Sequence, residues 1–254
     1  MATKKDKYAT KKPGVKGDVG DGHEKVQLWK DGPYWATTNI GAEQPWEYGD
    51  YFVWGDVNGY KREGDSWVDS WSPSAQPESS FLTSFSLPPA GDIFDDEDYG
   101  VSFEDAETCC ASQAKLESEG WISAEGILVP AHDVAHMAWG GRWRMPTVQE
   151  FDDLVSKCDW IWEKMNGVEG YVVRGKGGYS SASIFLPAAG FGSKTELICA
   201  ESEGRYWSSV PKLSDDGWTA YGLVFDSSSK PYTDSGCNWR FLGLQVRPVQ
   251  GLAK

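Results

Sequence analysis

A chain of 254 residues that is 40% hydrophobic and holds 14 Trp, 11 Tyr and 10 Phe can bury a core of its own. It fits one large domain, or one domain carrying a sizeable insertion. Its formal net charge of −14 argues against a nucleic-acid partner, because phosphate binding needs clustered Lys and Arg, and no apolar run has the length of a membrane span.

Residues 1–25 read as a tail apart from the rest. The segment repeats ATKK at Ala2 and Ala9 and holds seven Lys against four acids in an otherwise acidic chain. It has no apolar stretch of the kind a secretory signal needs, so cytoplasmic synthesis without a signal peptide is expected. From Gly14 to Gly22 glycine recurs at every third position; a flexible linker and a short collagen-like piece of a trimeric homo-oligomer are both open readings.

Folding is expected to begin near Lys25. Val26–Trp29 and Tyr34–Ile40 flank Lys30-Asp31-Gly32 and read as a β-hairpin, and Tyr48–Asp56 is dense in aromatics and glycine, as core and turn. Residues 57–129 read as a long insertion. Its first half is an ordered loop pinned by Trp67, Trp71 and Phe81; its second half holds eight acids between Asp92 and Glu107, without the spacing of a calcium loop. A helix over Glu104–Glu119 would carry Ala106, Cys109, Cys110 and Ala114 as its apolar stripe.

Two clearer helices follow. Pro130–Trp139 places Val134, Met137 and Ala138 on one side and stops at Gly140-Gly141. Thr147 to Glu150 is a capping box opening a helix over 148–158, with Phe151, Leu154, Val155 and Cys158 on one face. His132 and His136 stand four apart with Asp133 between them, but the glutamate of a zinc-protease helix is missing and His23 is far away in the tail, so no metal or other cofactor is expected. Trp160–Trp162 and Gly170–Arg174 then read as strands paired across Asn166-Gly167, and Ser183–Gly190 as a short buried strand.

The five cysteines, Cys109, Cys110, Cys158, Cys199 and Cys237, include no CxxC pair, so neither a zinc site nor a disulfide framework is expected. Segment 204–249 carries most of the functional signal. Tyr206–Ser209, Ala220–Asp226 and Leu244–Val249 read as three strands of a small antiparallel sheet with long connections. Tyr221, Leu223 and Phe225 belong to one face, and Phe151, Leu154, Leu186, Trp207, Tyr221, Leu223, Phe225 and Val246 are expected to share one core. The opposite face and its loop mix Lys212, Leu213, Val224, Tyr232, Asp234, Cys237, Trp239, Phe241 and Leu242. That assortment suits a recognition surface, since large aromatics anchor binding at low entropic cost, and it also suits a second core.

Seven motifs in order carry a family resemblance: WATTNIGA (35–42), YGDYFVWGD (48–56), WGGRWRMPT (139–147), IFLPAAG (184–190), YWSS (206–209), AYGLVF (220–225) and LQVRPV (244–249). The series resembles the Fibrobacter succinogenes major paralogous domain, common in Bacteroidetes and their phages. The resemblance covers about residues 26–56 and 130–249. It implies an α+β chain with the C-type lectin fold: small antiparallel sheets, two main helices, long loops and an insertion at about 57–129. Many members resemble the variable proteins of diversity-generating retroelements, which rewrite adenine-templated codons of a C-terminal repeat. On that resemblance YWSS, AYxLxF and VRPV are scaffold. Lys212, Leu213, Gly222, Val224, Asp226, Tyr232, Asp234, Cys237, Asn238, Trp239, Phe241, Leu242 and Leu244 fall where such proteins diversify and bind a protein or cell-surface ligand, within a phage virion or on a cell.

Two other classes stand beside this one. The related formylglycine-generating enzymes are copper-dependent oxidases with two neighbouring cysteines near the C-terminus, whereas here Cys237 has only Cys199 as its nearest partner in sequence, so an enzyme is not expected. A structural virion or surface subunit is the third class. The triplets of a calcium-dependent sugar lectin, EPN or QPD with a following WND, do not occur.

Overall fold

A computed structural model describes residues 22–71, 112–193, 196–212, 219–236 and 238–251. In chain order these form β1 (Lys25–Gln27), β2 (Tyr34–Ala36), β3 (Gly59–Glu63), β4 (Ser66–Trp71), α1 (Gln113–Ser118), α2 (Val134–Trp139), β5 (Trp143–Arg144), α3 (Val148–Lys157) and β6 (Asp159–Met165). There follow β7 (Val168–Arg174), β8 (Ser183–Pro187), β9 (Phe191–Ser193), β10 (Glu196–Ile198), β11 (Glu203–Pro211), β12 (Ala220–Asp226), β13 (Tyr232–Asp234) and β14 (Val249–Gln250). The class is α+β, with more strand than helix in small antiparallel sheets ordered β1-β2-β14-β5, β3-β4, β6-β7-β8, β9-β10 and β11-β12-β13.

Several elements follow the sequence closely. α3 opens on the expected capping box: Thr147 Oγ1 accepts from Glu150 N, and Glu150 Oε2 accepts from Thr147 N at 2.9 Å. Glu150 also takes a two-pronged ion pair from Arg144, at 2.7 and 2.6 Å, while Arg144 Nη2 donates to Gly251 O, so the helix start is tied to the end of the described chain. β6 and β7 pair from Asp159↔Arg174 to Met165↔Val168 around Asn166 and Gly167, both at positive φ, which suits those two residue types.

Other expectations are corrected. Pro130–Trp139 is not one helix: a 3-10 turn over Pro130–His132 ends at Asp133, whose extended backbone and side chain cap α2 through His136 N. His132 and His136 therefore do not share a helical face; the His132 ring stacks on Trp121 with centroids 3.9 Å apart. In the insertion, β3 and β4 form a hairpin where loop was expected, and Trp67 packs against the Tyr51, Val53 and Tyr60 cluster. α1 is shorter than Glu104–Glu119 and buries Leu116, leaving Ala114 exposed. The acidic run, Phe81, Cys109, Cys110 and tail residues 1–21 lie outside the described residues. His23 belongs to the fold, its ring stacked on Trp139 at 3.7 Å.

The strand expected over 244–249 is reduced to β14, with single bridges at Leu244 and Gln245. Pro248 offers no N–H to a ladder, and the backbone before it turns so that Arg247 points inward. β14 lies between β2 and β5, and Lys25 Nζ donates to Gln250 Oε1, so the two ends of the domain meet.

Two large cores replace the single one expected. The first gathers Phe151, Leu154, Leu186, Leu223 and Phe225 with Trp35, Tyr206 and Val249. The second gathers Trp207 and Val246 with Phe52, Trp54, Trp121, Phe241 and Leu242, and includes Val57, Leu116, Ile122 and Leu128 from the ends of the insertion. Tyr221 is only half-buried, because three β11 residues, Ser208 to Val210, lie between the partners of Gly222 and Ala220. That bulge turns its polar groups inward: Ser208 O accepts from Trp54 Nε1, and Ser209 O from Leu128 N, each at 2.9 Å.

Two buried carboxyls give the fold a pH response. Burial pushes Asp56 up to about 6, against the pull of the Asn58 N–H groups, and pushes Asp133 up to about 6, against the Met145 and His136 N–H groups. From about pH 4 to 6 the folded chain keeps protons that the unfolded chain releases, so stability falls as pH rises through that window and then levels. Asp56→Asn keeps an oxygen for Asn58 and removes one titration. A urea-midpoint series from pH 4 to 7 is expected to slope less steeply in this variant than in the wild type.

Candidate ligand face

Cross-strand partners in an antiparallel sheet share a face, so the register of β11-β12-β13 sorts the segment 204–249. Gly204 and Phe225 make one row, and Tyr206, Leu223 and Thr233 the next, on the face turned to the first core. Thr233 Oγ1 donates to Asp152 Oδ1 of α3 at 2.7 Å, holding the edge strand against the helix. The other face carries Glu203 with Asp226, then Arg205, Val224 and Tyr232, then Trp207, Gly222 and Asp234. Its inner end is the second core and its outer end reaches the surface.

β12 is thus covered on both sides, which corrects half of the expected outward positions. Val224 is 4% exposed, Phe241 4% and Leu242 2%, and Leu244, Asn238 and Gly222 are buried as well. The chain after Trp239 runs into the second core, so Phe241, Leu242 and Leu244 meet Phe52, Trp54 and the ends of the insertion rather than water. Five positions keep surface. Tyr232 is 46% exposed on the edge strand; Asp226, Asp234, Lys212 and Trp239 are half-buried, the Trp239 ring lying 5.4 Å from that of Phe241. Leu213 and Cys237 lie outside the described residues.

The register adds Arg205 and Glu203, which the sequence reading missed, and a ring contact adds Phe191. Arg205 stands in the Val224 and Tyr232 row, pairs with Glu203, and sets its guanidinium 4.0 Å from the Phe191 centroid. The parity of Arg205 and Glu203 against Trp207 could have placed them on this face; Phe191 had no such signal. Asp226 accepts from the Ser228 and Ser229 hydroxyls and backbone N–H groups, which hold its carboxyl down at about 2 and fix the turn after β12. The outer end therefore combines one exposed aromatic with fixed charges of both signs, an arrangement suited to recognition by contact.

Two of the five thiols, Cys158 and Cys199, are among the described residues. Burial pushes Cys158 up to about 12, and partial desolvation followed by the nearby Glu203 charge raises the exposed Cys199, so neither of these two favours the thiolate at neutral pH. Among the described residues no three His, Cys, Asp or Glu side chains gather as metal ligands, and no helix is long and apolar enough to cross a membrane. No protein-family model, curated protein or solved structure matches this chain.

Proposed function

We propose that this chain is a ligand-binding display protein of the C-type lectin fold, its C-terminal face diversified by a retroelement, acting as a phage receptor-binding or surface recognition module. The motif order supports the family, and the pairing of the first hairpin with β14, which joins the two ends of the domain, supports the fold. The observation that carries the binding reading is the division of one sheet. Its centre is buried on both faces, while its edge strand presents Tyr232 between Asp226 and Asp234. Such a sheet can change its edge without changing its core.

The test is to sequence this locus across a population of its source. Variation is expected at Lys212, Leu213, Asp226, Tyr232, Asp234, Cys237 and Trp239, beside a reverse-transcriptase gene and a near-copy of the segment that differs at adenines. Equal variation at Val224, Phe241 and Leu242, or no template copy, overturns the reading. In the protein itself, Tyr232→Ala is expected to move stability by no more than about 0.5 kcal/mol while costing about 2 kcal/mol of binding to cells that carry the ligand. Unfolding and cell-binding curves read the two separately.

A further inference from the structure

Asn238 falls among the positions expected to contact ligand, yet it is 0% exposed. Its backbone oxygen accepts from Ala220 N at 3.0 Å, and its side-chain Nδ2 donates to Asp234 O at 2.9 Å. It is thereby tied to the start of β12 and to the last residue of β13. The side chain occupies room that only glycine leaves: a Cβ at Gly222 would come within 2.9 Å of Asn238 Nδ2 and equally close to Tyr206 O. Two flanking contacts complete the loop, Gly236 N donating to Asp234 Oδ1 at 3.0 Å and the Thr219↔Trp239 bridge.

One further atom indicates why an amide stands here. Among the described residues Asn238 Oδ1 is buried without a hydrogen-bond partner, a cost that alanine or leucine would avoid. An amide that leaves its acceptor end unsatisfied is explained by its donor end, and that end holds the Asp234 carbonyl. Aspartate could not donate there, and serine would fall short.

We infer that Asn238, seated over Gly222, is a positioning residue that locks the Asp234–Gly236 turn in one shape and so sets the spacing of Tyr232, Asp234 and Trp239 before a ligand arrives. Its use in recognition rests on the binding function proposed above; the lock itself does not. A loop ordered in advance loses less entropy on binding, and a locked frame lets neighbouring side chains change without altering where they point.

Amide hydrogen exchange of residues 233–236, measured without ligand in the wild type, Asn238→Ala and Asn238→Leu, tests the lock. Leucine keeps the bulk and removes the donor. Exchange at 233–236 is expected to rise roughly tenfold in both variants, while the protection of β11 and the centre of β12 stays as it was. Wild-type protection of the loop in both variants overturns the inference. So does wild-type protection in Asn238→Leu alone, since bulk would then hold the loop, and so does an equal loss across the whole sheet or failure of both variants to fold. If only Asn238→Ala fails to fold, Asn238→Leu decides. Because no ligand enters the measurement, this result stands or falls separately from the binding reading.

Discussion

Arg247→Met is expected to cost about 3–5 kcal/mol of folding free energy. The guanidinium is fully buried, and its hydrogen bonds run to uncharged oxygens: Nε to Asn39 Oδ1 at 2.8 Å, Nη1 to Ala36 O at 3.1 Å and Nη2 to Phe185 O at 2.9 Å. Burial lowers its pKa to about 10, so it remains charged at neutral pH. Methionine recovers the guanidinium's desolvation cost, which favours the variant. Against that, three oxygens lose their charged donor, each worth about 1.5–3 kcal/mol, and the second effect wins. Arg247→Lys is not a rescue, because a single ammonium on a flexible stem cannot reproduce the planar fork that reaches three oxygens on two separate segments. Chemical denaturation reads the result; an unchanged midpoint in Arg247→Met would mean that the VRPV motif is not the fastener described here.

The second large effect is expected at Phe241. If this ring belonged to a ligand face, Phe241→Ala would leave unfolding within about 0.5 kcal/mol of the wild type. It is instead buried in the second core beside Leu242 and Trp54, and truncation of a buried Phe costs about 3–5 kcal/mol through lost burial and the cavity left behind. Thermal melts of Phe241→Ala and Tyr232→Ala side by side should therefore diverge by many degrees. Equal melting points would return Phe241 to the surface and remove the reason for excluding it from the recognised face.

Local signals were legible in the sequence wherever they close within a few residues. The Thr147 to Glu150 box and the Asn166-Gly167 turn depend on short-range geometry and stand where they were expected, and the hairpin forms with strands shortened to Lys25–Gln27 and Tyr34–Ala36. What was not legible is how many layers cover a strand. The alternation in Ala220–Asp226 identifies Leu223 and Phe225 as core, but it cannot tell whether Val224 meets water or another piece of chain. Nor can the sequence around Phe241 and Leu242 show that their cover comes from residues as distant as Phe52 and Leu128. The same holds for Asn238, whose burial follows from an empty space at Gly222 sixteen residues earlier. At Asp133 the helical period of Pro130–Trp139 was real, but a buried carboxylate that also accepts from Met145 N outweighed it and restarted the helix.

The place of β14 has a consequence for how the protein is made. The first hairpin leaves the ribosome well before β14, and its sheet is completed only when Val249 pairs with Trp35, while Lys25 waits for Gln250 across 225 positions. At about 5–20 residues per second, that is an interval on the order of 10–45 s in which the edge of β2 stands unpaired in the nascent chain. Until then Arg247 has not been made, and Ala36, Asn39 and Phe185 lack the donor that joins them. Translation must therefore hand over a chain whose first hairpin and β14 find each other after the residues between them have emerged, and the bare β2 edge is the stretch that a chaperone would have most reason to cover.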